Sequence, residues 1–389
     1  MRLCTFSALI LITLFFCVSA VNGQTIEKGI VILTGFPDVK YPIDRSIVEM
    51  RFSRQLNNYI SQMSYGKVSL DITVTDKWYT LPFPVSQYKI SPKNLEVDRN
   101  RIRKLIDDTF DAVGNDVNFS DYDFSVIFMN AKVDDYGMIG LCGYPGMLGF
   151  GTQDALKTKN GQPIKGGVAI FCFQAHMGTL FHDIAHILGG TKNGKRMVPC
   201  LYDHDLQAKP GPTRQVTTDA MINMGFWDPM SCHFYQRDQA PPGISSWTKM
   251  RLNWLEPSKI KIVRPGEKTE FILGPLEDGS SEILAAKIPI SENTYYLIEN
   301  RQPIGVFDSV LPQNGVLIMF ANDNIAECRH GAAPVKLINA NPSVPHLEGA
   351  AFDVGKKNYY QDNKNRIRIE ILEKIGNSYK ILISPPLVQ

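Results

Sequence analysis

The sequence has almost no surplus charge. Its 41 lysines and arginines face 39 aspartates and glutamates over 389 residues, a formal net charge of +2. No stretch concentrates basic residues into a stripe, so neither nucleic acid nor an anionic membrane surface is indicated as a partner. Internal repeats and low-complexity tracts are missing as well, which argues against solenoids and extended linkers. Beyond the N-terminus no apolar run reaches the roughly 20 residues that a membrane-spanning helix needs. What remains, 44% hydrophobic and 21% charged residues, is an ordinary globular composition, long enough for one large domain or two smaller ones.

The N-terminus sets the expected compartment. Arg2 precedes an apolar run from Leu9 to Val18, followed by small residues at Ser19, Ala20 and Gly23, the pattern of a secretory signal peptide over residues 1–23. A membrane anchor is the rival, but the run is short for a span. Cleavage after Ala20 or Gly23 gives a secreted chain without an anchor and removes Cys4 and Cys17. The cysteines left are Cys142, Cys172, Cys200, Cys232 and Cys328, an odd set, so at least one is a free thiol, a metal ligand or paired between chains. Asn118-Phe119-Ser120 is a glycosylation sequon.

Along the chain, Ile30–Leu33 is a short β-branched run. From Ile47 to Met63, Val48, Phe52, Leu56, Tyr59, Ile60 and Met63 recur at helical spacing. Val68–Val74 alternates as a strand, residues 97–113 form a second amphipathic helix, and Phe124–Met129 reads as a buried strand. This alternation predicts an α/β layer arrangement up to about residue 256. The glycine-rich segment Gly137–Gly151 reads as a loop. The strand at Gly167–Phe173 is a candidate edge for an extended peptide, with a plain core strand as the alternative. From Pro257 onward seven short strands separated by Gly, Pro and Asn turns predict a β-sandwich or barrel over residues 257–389.

The chemistry concentrates in Gly178–Gly190, GTLFHDIAHILGG. Phe181, Ile184, Ala185 and Leu188 make a core-facing stripe, while His182, Asp183 and His186 lie off it. Histidines four apart share a helix face and can bind one metal ion together, as in the H-E-x-x-H zinc-peptidase helix, here with Asp in place of Glu. The spacing alone is also that of two surface or half-buried histidines paired with Asp183, the commoner case.

The neighbouring residues weigh against that plainer reading. His186–Gly189 is followed by Pro199-Cys200-Leu201-Tyr202-Asp203, then Trp227-Asp228-Pro229-Met230, then Trp247-Thr248-Lys249 through Trp254. With Phe36-Pro37-Asp38, Ser64-Tyr65-Gly66-Lys67, Trp78-Tyr79, Tyr296 to Gln302 and Leu311-Pro312, the chain resembles the immune-inhibitor-A-type secreted metallopeptidases, relatives of the metzincins. The resemblance covers nearly all of residues 24–389, in order. It implies an α/β (α+β) zincin-like domain over 24–256, a zinc ion on His182 and His186, and hydrolysis of peptide bonds in a protein or peptide substrate. The long propeptide usual in such proteases has no room between the signal and the first strand, which suits a feeble catalyst.

Two departures qualify what is inherited. The helix glutamate of the family is the general base that activates water at the metal, and Asp183 is one methylene shorter. A catalytic group misplaced by about 1 Å can cost on the order of 100-fold in rate. In addition, Thr191–Val198 separates the helix from Pro199, and Cys200 stands where the resemblance implies an aspartate as third ligand. Cys200 can ligate zinc as a thiolate, with Asp203, His204 and Asp205 as substitutes. Alternatively Cys200 pairs with Cys232, and Cys142 with Cys172. Met230 is expected beneath the site as an apolar floor. Tyr202, Tyr235 and His233 are candidate oxyanion donors, and Asp203 with Asp205 a weak calcium candidate. Arg301 and Asn300 are expected to join the two parts of the chain. The leading expectation is a zinc endopeptidase of reduced activity with Asp183 as its base. The alternatives are a catalytically inactive homologue that binds peptides or proteins, and a structural zinc site.

Overall fold

The computed structural model describes residues 24–150, 156–211 and 218–386. The signal segment and Gly151 lie outside them. The fold is mixed α/β with several sheets. Among the described residues no helix is long and apolar enough to cross a membrane.

The first sheet has the order β2-β1-β4-β6-β5, with the short β3 beside β2 on β1. Its strands are β1 (Thr25–Gly35), β2 (Val68–Val74), β3 (Tyr79–Thr80), β4 (Phe124–Met129), β5 (Gly140–Tyr144) and β6 (Val168–Cys172). All pair in parallel except β5, which runs antiparallel to β6 at the edge. The central strands are apolar at successive positions because both faces are covered. Val126 and Phe128 of β4 enter one core, and Ile127 and Met129 enter the other. On the first face lies α1, a continuous helix of Arg45–Glu49, a π-helical turn at Met50–Leu56, and Asn57–Met63. All six of its predicted apolar positions are buried. On the second face lies α2 (Arg99–Val113), capped by Asp98, whose carboxylate accepts from the Asn100 and Arg101 amides.

Two expectations for this sheet are corrected. The edge reading of Gly167–Phe173 gives way to its core-strand alternative, since β6 pairs on both sides with β4 and β5. The true edge, β5, lies inside the segment that reads as a glycine-rich loop. Glycine is disfavoured in strands, and that lowered the strand signal there.

After the helix α3 (Met177–Gly189), a small hairpin of β7 (Thr191–Lys192) and β8 (Lys195–Arg196) leads to α4 (His204–Gln207) and later α5 (Ser246–Arg251). Two further sheets follow. One has the order β14-β13-β12-β11-β9, from β9 (Ile260–Ile262), β11 (Ala285–Pro289), β12 (Thr294–Arg301), β13 (Gly315–Asn322) and β14 (Val335–Leu337). The other has the order β10-β17-β16-β15, from β10 (Thr269–Leu273), β15 (Tyr359–Asp362), β16 (Ile367–Ile375) and β17 (Ser378–Ser384). They pack face to face around one core that takes Ile298 and Ile318 from the first and Ile369 and Ile381 from the second. Strands β14 and β15 were not legible: one is three residues long, and the other is mostly polar.

The period of two also explains how this half meets the α/β half. Along β12, Tyr296 and Ile298 face the second sheet, while Tyr295 and Leu297 join the cluster that contains Phe52 and Trp247. Arg301, on that same outward face, is fully buried. Its guanidinium donates to Asp308 (2.7 and 2.6 Å), to Glu299 (3.2 Å), and to the carbonyls of Trp227 and Gly243 (both 2.9 Å). Arg301 therefore bridges the halves as expected. Asn300 bonds instead to the carbonyls of Leu273 and Asn377, within the β half.

Candidate metal centre

Helix α3 begins at His176, whose ring accepts from the Gly178 amide, and ends at Gly190 in a positive-φ conformation. Phe181, Ile184 and Ala185 are buried in the core as the stripe predicts. The opposite face is covered as well: His182, Asp183 and His186 are 3%, 5% and 1% exposed. They are not surface histidines.

Each imidazole is fixed by its Nδ1. His182 Nδ1 lies 2.9 Å from the Pro229 carbonyl, and His186 Nδ1 lies 2.6 Å from the Val198 carbonyl. A carbonyl can only accept, so Nδ1 carries a proton, which in the neutral ring leaves Nε2 to present a lone pair. Both Nε2 atoms converge on Cys200 Sγ, at 3.5 and 3.6 Å. A tetrahedral zinc with Zn–S of about 2.3 Å and Zn–N of about 2.05 Å separates sulfur from nitrogen by about 3.5 Å. These three residues could therefore hold a metal ion, and the donor set suits one.

Electrostatics favours a thiolate at Cys200. Burial pushes the thiol up, but Arg196, His186 and His182 outweigh it and hold it well below the usual thiol range. Arg196 Nη2 sits 3.9 Å from the sulfur and pairs with Glu327 of the β half at 3.2 Å. Burial pushes Asp183 up to about 7, with His182, Arg196 and the Cys142 backbone opposing. Burial, helped by Arg196, lowers His186 to about 4.

All five described cysteines are free thiols. Cys200 is thus joined to the histidines and not to Cys232, and Cys142 is not joined to Cys172. Cys232 Sγ contacts the Phe234 carbonyl at 3.3 Å. Of the substitutes for Cys200, the two aspartates are engaged elsewhere, while His204 keeps a buried Nε2 without a hydrogen-bond partner, 3.9 Å from Glu327, and stays outside the converging group. Asp203 caps α4 through the Asp205 and Leu206 amides and accepts from Gly331. Asp205 binds Arg329 at 2.8 Å. His204 stacks on Tyr202, ring centroids 5.1 Å apart. The same bonds occupy the two carboxylates named for calcium.

Of the oxyanion candidates, Tyr202 stacks on His182 with centroids 6.0 Å apart, and its hydroxyl accepts from Asn94 at 2.6 Å. The His233 ring lies 4.7 Å from that of His182 and bonds Thr179 at 2.9 Å. Tyr235 is turned away toward Glu348. Met230 is wholly buried in the core that carries α3.

The site opens into a cleft of about 200 Å3. Its walls include β5 at Gly140 and Leu141, Met147 and Phe150 beyond it, and Glu327 and Arg329 from the β half. Sequence reasoning missed Arg196 and Glu327. Arg196 lies in the basic insertion before Pro199, where one buried cation does not stand out among exposed ones, and no local pattern points to Glu327, 131 residues away. No known protein family matches the chain, and no curated protein does.

Proposed function

We propose that the chain is a secreted zinc-dependent peptidase of the immune-inhibitor-A type, with a zincin-like α/β domain and a weakened general base. The observation that carries this reading is the convergence of His182, His186 and Cys200, at separations suited to tetrahedral zinc, in a cleft bordered by an antiparallel edge strand. Zinc held by these three residues would polarise a peptide carbonyl and lower the pKa of water. The chain's own residues supply the rest. Pro229 and Val198 hold the imidazoles in the ligating tautomer, and Arg196 keeps negative charge on Cys200. Asp183, buried beside the ligands, takes a proton as water's oxygen bonds to the acyl carbon. It returns that proton to the amine nitrogen as the C–N bond breaks.

A binding protein without turnover is the second reading. It is favoured by Asp183 itself, one methylene shorter than the glutamate expected at that position.

Cleavage of a peptide library separates the two. Zinc-loaded wild type should cleave slowly, Asp183→Glu should gain up to about 100-fold, and His186→Ala should be inactive. Zinc-loaded Asp183→Glu without activity would leave the binding reading in place and remove the peptidase one.

A further inference from the structure

The edge strand beside the metal centre is largely occupied by the chain itself. The Cys172 amide donates to the Ile139 carbonyl, and the register pairs Leu141 with Ile170. In an antiparallel ladder the bonded pairs alternate, so residues 139 and 141 point their backbone groups at β6. Gly140 and Cys142 point theirs outward, toward the cleft.

A peptide strand added to this edge would need both outward residues. At Cys142 the carbonyl is taken, since it accepts from the Met147 amide at 2.9 Å. The next carbonyl, of Gly143, accepts from Leu148 at 3.0 Å. Residues 145–150 thus fold back as a strap along the edge. Its far end is held too, because the Arg196 guanidinium lies 5.5 Å from the Phe150 ring centroid and is itself paired with Glu327. Gly146 makes the close approach possible, since a Cβ there would fall 2.1 Å from the Cys142 carbonyl oxygen.

Among the described residues, Gly140 is the outward position of β5 to which the strap makes no backbone bond. The cleft, at about 200 Å3, is also below the roughly 300 to 1,000 Å3 usual for small-molecule sites. We propose that the site takes short peptides of roughly two to four residues, anchored by one backbone pair at Gly140, and that the strap excludes extended polypeptide. The proposal rests on the peptidase-like reading of this cleft and names its substrate class.

The test uses zinc-loaded Asp183→Asn, which keeps the side chain's size, removes the general base and leaves bound peptides intact. A random N-acetylated, C-amidated tripeptide library and a matching decapeptide library are offered to it, and retained peptides are counted by mass spectrometry after rapid ultrafiltration. Tripeptides should be retained over decapeptides by about ten-fold. Adding Gly146→Val should drive the strap from the edge, speed hydrogen exchange at the Met147 amide, and erase that preference. Decapeptides held as well as tripeptides with the strap in place would overturn the proposal, as would a preference that survives once Met147 exchanges freely. Retention of neither length by protein carrying stoichiometric zinc would overturn the peptide reading beneath it. If Gly146→Val does not fold, the length comparison still decides.

Discussion

Replacing Arg301 by methionine should be among the most damaging single changes in the chain. The side chain is wholly buried, and five hydrogen bonds at 2.6 to 3.2 Å tie it to Asp308, Glu299 and the carbonyls of Trp227 and Gly243. Methionine fills much of the volume but leaves the buried Asp308 and Glu299 carboxylates without their cation. Breaking a buried pair from one side costs about 3–5 kcal/mol, a large share of the roughly 5–15 kcal/mol that holds a folded protein together. The damage should also reach the metal centre. Arg301 fixes the Trp227 carbonyl two residues before Pro229, whose own carbonyl orients His182, and losing such outer support typically weakens metal binding by about 10- to 100-fold. Guanidinium unfolding at fixed zinc concentration reads the first effect, and a chelator competition reads the second. Adding Asp308→Leu to Arg301→Met should recover part of the loss, since it removes one orphaned charge. A loss below about 1 kcal/mol for Arg301→Met would refute the reasoning.

Gly140→Ala places a Cβ 2.8 Å from Asp183 Oδ2 and from Phe171, and 2.9 Å from Thr179. It should cost about 1–3 kcal/mol by overpacking and lower peptide cleavage by at least about ten-fold through displacement of Asp183, both read on purified protein. Burial, then the neighbouring Asp308, pushes Glu277 up to about 7 in the fold, from 4.5. The folded state therefore keeps a proton that the unfolded chain has released, so this group's contribution is full below about pH 4.5 and is lost as pH rises to about 7. Denaturant titrations across that window should show stability falling with pH, and the fall should flatten in Glu277→Gln. Cys232→Ala should leave metal content unchanged, by elemental analysis, because its sulfur faces the Phe234 carbonyl and not Cys200.

Features set by short-range period were legible in the sequence. The six apolar positions of α1 and the stripe of α3 follow the helical repeat, and Phe124–Met129 is a buried strand at its predicted limits. The two histidines and Cys200 were also readable, as a spacing and a residue of ligand type. What stayed hidden depends on distant pairing. The edge strand β5 reads as a glycine-rich loop because Gly140 and Gly143 are there for close approach to Asp183, Thr179 and Ile106, not for β propensity. Whether Cys200 meets the histidines or Cys232 is set by how the hairpin at Thr191–Arg196 returns the chain, and Arg196 and Glu327 meet only in the folded protein.

The central claim is that His182, His186 and Cys200 hold one metal ion. Its most direct test is elemental analysis of the purified protein beside Cys200→Ala and His186→Ala. About one equivalent of zinc in the wild type, lost in both variants, is the result predicted. Metal-free wild-type protein, or full zinc retention in Cys200→Ala, would contradict it.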